Sequence, residues 1–228
     1  MGVQYIKYFY KNNILRRKVP DKDFEVGRRW DEKFSEEDWP VKPDLALVAF
    51  TSGLPSGKAL DIGCGPGRNA LWLAEKGWDV TGIDASSVGL QQALDKAKDK
   101  GVDLNTIHGD IFATELPHKH YDLVVMANIH VTLVLRRQLF SKAVSALKEG
   151  GHLLVIGHHI DDLGRVGPPD PELLFNEDIL RDAAEGLEVV KLQRWERPPD
   201  EGDAYDRDNP LRPVSDIVLW AKKIPSLP

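Results

Sequence analysis

Short apolar runs alternate with amphipathic segments along most of this chain. Seven apolar runs have the length and composition of buried β-strands: 58–62, 79–83, 103–108, 121–126, 151–157, 187–195 and 215–222. Between the first three runs, residues 68–76 and 86–100 have helical spacing and end at glycines. Strands that alternate with helices predict a mostly parallel sheet. The last two strands follow one another without a helix, so we expect an antiparallel hairpin at the end of the sheet.

The first 56 residues stand outside this alternation. Residues 1–18 are a short basic and aromatic arm, which we expect to be a loosely ordered terminus. Contact of the arm with a membrane surface or RNA is the alternative. Residues 23–34 and 44–50 have helical spacing. We therefore expect an arm and helical cover segment over 1–56 and an α/β domain over 57–223, which together make a single domain.

The most informative segment follows the first predicted strand. From Asp61 to Arg68 the chain reads D-I-G-C-G-P-G-R, with glycines at alternate positions. Glycine suits such a turn because a Cβ would block either positive φ or the approach of a ligand. Asp84 ends the second strand, where a carboxylate can accept hydrogen bonds from both hydroxyls of a ribose. The dinucleotide fingerprint requires its third glycine at the position of Arg68, which disfavours a nicotinamide dehydrogenase.

The spacing D-x-G-x-G-x-G resembles motif I of the class I S-adenosylmethionine-dependent methyltransferases. Asp84 and the sequence Gly109-Asp110-Ile111 after the third strand strengthen the resemblance. It implies a Rossmann-like seven-stranded, mostly parallel sheet with an antiparallel C-terminal hairpin and helices on both faces. It also implies that Asp61 orders the ammonium group of the cofactor, that Asp84 holds the ribose, and that Asp110 accepts from the adenine amino group while Ile111 packs the ring.

The resemblance extends to two further segments. Ala127 and Asn128, after the fourth strand, correspond to backbone that approaches the ammonium and methyl groups in related enzymes. The proline-aromatic motif of DNA-adenine and protein-glutamine methyltransferases is absent there, which disfavours those activities. Trp30 to Phe34 reads W-D-E-K-F, and Trp39 follows it. This segment resembles the opening of thiopurine-type and tellurite-resistance-type small-molecule enzymes, where it closes the pocket; simple core packing is the alternative.

The implied cofactor is S-adenosylmethionine, with S-adenosylhomocysteine as product. The residues expected to contact it lie at strand ends or in the cover segment: Trp30, Trp39, Asp61, Gly63, Cys64, Gly65, Gly67, Asn69, Asp84, Ala85, Asp110, Ile111, Ala127 and Asn128.

Histidines after the fourth and fifth strands are the candidate catalytic groups. His130 could take a proton from a substrate hydroxyl because imidazole titrates near neutral pH, or it could cap or pack against the next helix. Of the adjacent pair His158 and His159, one could line the substrate pocket, and we name His159 with His130 as tentative bases. Neighbouring residues on a strand point to opposite faces, which disfavours a metal site made of both.

Composition bounds the function. The net charge of −6 argues against a general nucleic-acid binder, and the single cysteine, Cys64, excludes an intrachain disulfide and a cysteine-based zinc site. No apolar window approaches the length of a membrane span, and we expect a cytoplasmic protein without a membrane partner. The resulting hypothesis is methyl transfer to the oxygen, nitrogen or sulfur of a small molecule. The alternative is a cofactor-binding, non-catalytic relative that acts as a regulator or scaffold.

Overall fold

The computed structural model describes residues 5–10, 13–18, 21–36, 39–198 and 212–225, with side chains from residue 26 onward. In chain order the elements are β1 (Tyr5–Tyr10), β2 (Asn13–Lys18), α1 (Asp21–Glu36), α2 (Leu45–Thr51), β3 (Lys58–Ile62), α3 (Arg68–Glu75), β4 (Asp79–Asp84), α4 (Ser87–Lys100), β5 (Asn105–His108), β6 (Tyr121–Ala127), α5 (Leu133–Ala146), β7 (Leu147–His158), α6 (Glu177–Ala183), β8 (Leu187–Arg197) and β9 (Val214–Lys223). Two 3-10 turns lie at Ile160–Asp162 and Pro171–Leu173. None of the helices in these ranges is long and apolar enough to cross a membrane.

The chain divides into two compact units. The first comprises the described residues up to 43 together with residues 55–115, and the second comprises residues 44–54 with the described residues from 116 onward.

The first unit contains five strands in the order β2-β1-β5-β4-β3. Strands β3, β4 and β5 are parallel, so their carboxyl ends share one edge. The Ser86 side chain caps α4 by accepting from the Gly89 N–H at 2.9 Å, and Gly101 ends the helix in the left-handed conformation. These local signals explain why the strand-turn-helix pattern forms where the sequence predicts it.

The N-terminal arm differs from its prediction. It forms the two strands β1 and β2, which pair antiparallel with each other, and β1 also pairs antiparallel with β5. The segment YIKYFY is rich in aromatic and β-branched residues, which favour strands. Pairing with the exposed edge of β5 then satisfies backbone groups that a free arm would leave to water. The expectation of a loosely ordered arm is therefore wrong for residues 5–10 and 13–18.

The second unit contains four strands in the order β6-β7-β9-β8. Strands β6 and β7 are parallel, whereas β9 runs antiparallel to both β7 and β8. The predicted C-terminal hairpin is therefore present, and its second strand lies between β7 and β8. All seven predicted strands occur, as β3 to β9. The sequence also predicts two long, polar, proline-bearing loops, at residues 161–171 and 197–213. Most of the second loop, residues 199–211, lies outside the described residues.

Candidate active site

The glycine turn after β3 is hydrogen-bonded to the end of β4. Gly63, Gly65 and Gly67 have φ angles of 68°, 48° and 86°, a region that only glycine adopts at low cost. The N–H groups of Gly63 and Cys64 donate to the carbonyl of Ile83 at 2.8 and 3.2 Å. The turn therefore has a defined shape, and its three glycines carry no Cβ that would block the positive φ angles, as the sequence predicts.

Asp84 is oriented by the same turn. Its Oδ2 accepts from the Gly65 N–H at 2.7 Å, and its Oδ1 accepts from the Ser86 N–H at 2.8 Å. Burial raises the pKa of Asp84, and these two hydrogen bonds oppose that rise. A carboxylate offers about four lone-pair positions, so each oxygen keeps capacity for a further donor. The carboxylate is thus a preoriented acceptor suited to a pair of hydroxyl groups.

The carboxylate of Asp61 is buried and incompletely hydrogen-bonded by the described residues. Its side chain is only 2% exposed, and Oδ2 has no hydrogen-bond partner among the described residues. Burial raises the pKa of Asp61 from 3.8 to about 7, although the Arg68 charge lowers it. A buried acceptor without a partner is costly, so an ammonium or other donor from a ligand would be stabilised here.

The other predicted cofactor residues of the first unit have less specific surroundings. Asp110 uses Oδ1 to accept from the Phe112 N–H at 2.9 Å, and the neighbouring Ile111 is half-buried. Asn69 is buried in the first turn of α3. The carbonyl of Ala85 lies 2.9 Å from Nε2 of His108 and accepts from it. Cys64 is buried, and burial raises the pKa of its thiol well above the ordinary value, which fits a space-filling role.

The cover segment is attached to the glycine turn by α1. Phe34 lies so close to Gly65 that a Cβ on that glycine would come within 2.9 Å of Phe34 Cζ. Its ring stacks on Trp30 at 5.5 Å and meets Trp39 edge-on at 4.9 Å. Asp31 accepts from Ser86 Oγ at 2.6 Å and from the Val88 N–H at 2.9 Å. Trp30, Phe34 and Trp39 therefore form an aromatic cluster beside the turn.

In the second unit, the end of β6 carries Ala127 and Asn128. Ala127 is the register partner of Ile156 on β7, and the Asn128 N–H donates to the Ile156 carbonyl at 2.8 Å. Asn128 has a φ of 58°, a conformation that asparagine tolerates better than most residues. Its Oδ1 is buried and has no hydrogen-bond partner in the described part of the chain. Asn128 thus has a strained backbone and an unsatisfied acceptor, both common at ligand sites.

The His130 ring is held in one orientation by a hydrogen bond and by ring contacts. Its Nδ1 lies 3.1 Å from the Leu173 carbonyl, which can only accept, so Nδ1 carries the hydrogen and Nε2 keeps the lone pair. Nε2 is buried and finds no hydrogen-bond partner among the described side chains and backbone. The ring stacks on His158 at 4.9 Å between centroids and contacts Phe175. Burial, followed by the charge of His158, lowers the pKa of His130 from 6.5 to about 4.

The two adjacent histidines at the end of β7, His158 and His159, have different surroundings. His159 is 1% exposed; its Nδ1 accepts from the Asp161 N–H at 3.1 Å, and its Nε2 lies 3.3 Å from Glu177. It caps the following 3-10 turn. His158 faces His130 and Asp216. Both nitrogens of His159 therefore have protein partners.

Three contributing residues are missing from the sequence prediction. Asp31 joins α1 to α4, Asp216 bonds to His158, and Arg136 holds the segment before Phe175 through carbonyl groups that include Leu173 and Leu174. A charged residue inside an apolar strand, as in S-D-I-V-L-W, is a detectable signal for Asp216. Asp31 is the acidic residue of the W-D-E-K-F segment, whereas Arg136 has no comparable signal because charge on a helix is ordinary.

The comparisons with known proteins agree with this geometry. Residues 59–151 match the family model described as a methyltransferase domain. TehB of Haemophilus influenzae, a probable S-adenosyl-L-methionine-dependent methyltransferase, is 30% identical over 103 residues, which cover 43% of this chain and 35% of TehB. A crystal structure of TehB from that organism superposes with a TM-score of 0.67 at 21% identity, covering 85% of this chain and 67% of that chain. It shows a shared fold.

Two other relatives carry more specific names. The ubiquinone biosynthesis O-methyltransferase of Rickettsia canadensis is 34% identical over 121 residues, 51% of this chain and 50% of that protein. The ribosomal RNA small subunit methyltransferase C of Alcanivorax borkumensis is 30% identical over 118 residues, 50% of this chain and 35% of that protein. The chain thus spans half or less of the length of these curated relatives.

Fold and site define a Rossmann-like protein with a turn of three positive-φ glycines after β3. Residues 59–151 are similar to a methyltransferase domain, in agreement with the sequence resemblance to the class I S-adenosylmethionine-dependent enzymes. The residues of the first unit fit that cofactor: Asp61 has a buried oxygen without a partner, and Asp84 offers oriented acceptors. Together they match a ligand that carries both an ammonium group and a ribose.

Proposed function

We propose that this protein binds S-adenosylmethionine in its first unit and transfers the methyl group to a small-molecule acceptor through oxygen, nitrogen or sulfur. The observation that carries the proposal is the unpartnered, buried Oδ2 of Asp61 beside a turn of three positive-φ glycines. An oxygen in that state calls for a cationic donor, and the ammonium group of the cofactor is one. When bound, S-adenosylmethionine supplies an electrophilic methyl group on a positively charged sulfur.

The first unit would bind and orient S-adenosylmethionine. Asp84 would accept hydrogen bonds from the ribose hydroxyls, held in place by the Gly65 and Ser86 N–H groups. Asp110 would accept from the adenine amino group, and Ile111 would pack against the ring. The aromatic cluster of the cover segment, with Trp30 and Trp39, would exclude water, which favours methyl transfer from a charged sulfur.

The second unit would serve the acceptor. Asn128 Oδ1 and His130 Nε2 are both buried acceptors with no protein partner in the described ranges, so each is suited to a hydrogen donated by a ligand. An acceptor that carries O–H, N–H or S–H supplies such hydrogens. The pKa of about 4 for His130 means that its ring is neutral at pH 7 and acts there as a hydrogen-bond acceptor.

A small molecule is favoured over nucleic acid as the acceptor. The relatives point both ways, since one is named for ubiquinone biosynthesis and another for ribosomal RNA. The net charge of −6 supports the small molecule because an RNA-binding surface must displace counterions from phosphates. The likeness of the cover segment to that of small-molecule methyltransferases supports the same choice.

Calorimetric titration with S-adenosylmethionine and S-adenosylhomocysteine tests the cofactor site. We expect micromolar binding by the natural chain and a loss of about 30- to 100-fold in Asp84→Ala, because a doubly used charged acceptor is worth about 2–3 kcal/mol. Asp79→Ala is the matched control, since this exposed aspartate lies at the opposite end of β4. A folded natural chain that binds neither ligand would overturn the proposal.

Release of S-adenosylhomocysteine in the presence of phenols, amines or thiols then tests the reaction. Turnover of one of these classes supports small-molecule methylation. Turnover of ribosomal RNA fragments alone would replace the small-molecule acceptor with RNA. Binding of the cofactor with no turnover on any acceptor would favour the non-catalytic regulator or scaffold.

A further inference from the structure

A chain of ionisable side chains crosses the end of the second unit's sheet. His158 on β7 and Asp216 on β9 are register partners, so their side chains share one face. Nδ1 of His158 lies 2.8 Å from Oδ1 of Asp216, and Arg197 Nε donates to Oδ2 of Asp216 at 2.6 Å. Arg197 pairs with Val214 across β8 and β9, two residues from Asp216, which brings its long side chain within reach. All three side chains are buried.

This arrangement defines the proton positions on His158. A carboxylate accepts the Nδ1 hydrogen, so the neutral ring has its lone pair at Nε2. Nε2 has no hydrogen-bond partner among the described residues, and the His158 side chain is 11% exposed. The carboxylate also stabilises the positive charge that forms when Nε2 takes a proton. His158 therefore has the orientation and the charge partner that a general base needs.

His130 and His158 form an unequal pair. Their rings are parallel within 9° and lie 4.9 Å apart, so a positive charge on one disfavours a positive charge on the other. His158 has Asp216 as a partner, whereas His130 faces the Leu173 carbonyl and the Phe175 ring. Two titratable groups in such different environments commonly divide the work of a site. Only His158 is equipped to carry the proton.

We propose that His158 Nε2 accepts the proton of a hydroxyl acceptor, that Asp216 and Arg197 position His158, and that His130 Nε2 accepts a hydrogen bond from a second donor group where the acceptor carries one. This inference rests on the proposed function. The O–H bond breaks, and its proton goes to His158. An oxygen electron pair forms the new bond to the methyl carbon, and the carbon–sulfur bond breaks with its electron pair left on sulfur. The proton then passes from His158 to water.

A phenol is the acceptor class that this arrangement serves best. A neutral phenol is a weak nucleophile that gains reactivity as its proton leaves, and His158 can take that proton. Within the described residues, the charged and titratable groups around His158 are Asp216 on β9 and His130 after β6, together with Arg197 on β8, which bonds to Asp216. The loop over the ring meets it through Gly167, which has no charge.

Chemical rescue with phenols of different acidity tests the assignment. The probes are 4-methoxyphenol, which is neutral at pH 7.5, and 4-nitrophenol, which is largely ionised there and needs no base. In His158→Gln we expect kcat with 4-methoxyphenol to fall by about 100- to 10,000-fold. With 4-nitrophenol we expect a fall of less than about tenfold, since only base catalysis has been removed.

Asp216→Asn and His152→Gln complete the set. An asparagine amide donates to Nδ1 and so moves the ring hydrogen to Nε2, which predicts the same selective loss with 4-methoxyphenol. His152 lies on the same strand and also stacks on an aromatic ring, that of Trp220 at 4.6 Å. We expect His152→Gln to lower both phenol rates equally, if at all. Equal losses on both phenols in His158→Gln would overturn the base assignment.

A nitrogen-detected NMR spectrum of the imidazoles in the unliganded protein gives a second readout that is independent of turnover. We expect the Nδ1–H tautomer for His158 in the natural chain and the Nε2–H tautomer in Asp216→Asn. An Nε2–H tautomer in the natural chain contradicts the inference. A natural chain that methylates only amines or thiols overturns the hydroxyl assignment, whereas failure to bind S-adenosylmethionine overturns the proposed function itself.

Discussion

Burial shifts the pKa of Asp61 in the first unit and the pKa of His130 in the second unit in opposite directions. Both are buried ionisable groups with an atom that has no hydrogen-bond partner among the described residues. Burial raises the pKa of Asp61 to about 7 and lowers the pKa of His130 to about 4, which favours the neutral form of each. The lone pair of His130 Nε2 is available in the neutral ring, whereas Asp61 Oδ2 offers an acceptor only when the carboxyl group is ionised.

The two sites differ in how they are built. Asp61 and its turn are specified by residues close in sequence, from β3 to the start of α3. His130 is oriented by Leu173, 43 residues away, and by His158 on the next strand. The comparison teaches that the glycine motif can be read locally, whereas the orientation of His130 depends on contacts between distant segments.

Replacement of Asp61 is expected to have the largest effect on the pH dependence of stability. The folded protein holds a proton on Asp61 that the unfolded chain releases between pH 3.8 and about 7. Rising pH through that window therefore lowers the free energy of unfolding, by at most about 4 kcal/mol from this group. Asp61→Asn should remove that loss in urea unfolding measured from pH 4 to 8, and an unchanged slope would show that Asp61 is ionised throughout.

His130 is expected to act in the opposite direction. Between pH 6.5 and about 4 the unfolded chain binds a proton that folded His130 does not. Falling pH through that window therefore lowers the free energy of unfolding, by at most about 3 kcal/mol from this group. His130→Gln should flatten this part of the urea-unfolding profile. The exposed His118 is the control, and an equal effect of His118→Gln would argue against burial as the cause.

Substitution of two glycines of the first unit compares the turn after β3, which contains Gly65, with an ordinary helix end, which contains Gly101. Gly65 has a φ of 48° and lies against Phe34, whereas Gly101 has a φ of 66° and open space around it. We expect Gly65→Ala to cost about 2–3 kcal/mol of stability and Gly101→Ala about 1 kcal/mol. Calorimetry should show weaker cofactor binding only for Gly65→Ala. Equal losses of affinity would remove the special role of the turn.

Replacement of Asp31 is expected to have the smallest effect. It tests the contact between α1 and the start of α4, which are far apart in the sequence of the first unit. Asp31→Ala removes the acceptor for Ser86 Oγ and the Val88 N–H, for an expected loss of about 1 kcal/mol in urea unfolding. Asp95→Ala, on the exposed face of α4, is the control because Asp95 bonds only within its own helix to Gln91. A loss no larger than that of the control would mean that Asp31 contributes little to the attachment of α1.

The amino-acid sequence by itself determined the seven strands β3 to β9, the glycine turn and the position of Asp84 at the end of β4. Apolar periodicity, glycine spacing and helix caps act between near neighbours, so one sequence reveals them. Only the tertiary structure decided that residues 5–18 pair with β5, that Asp31 reaches α4, and that His158, and not His159, faces His130 and Asp216. Those outcomes depend on strand register and on which side chains meet across the sheet, and such pairings are set by the summed contacts of segments far apart in the chain.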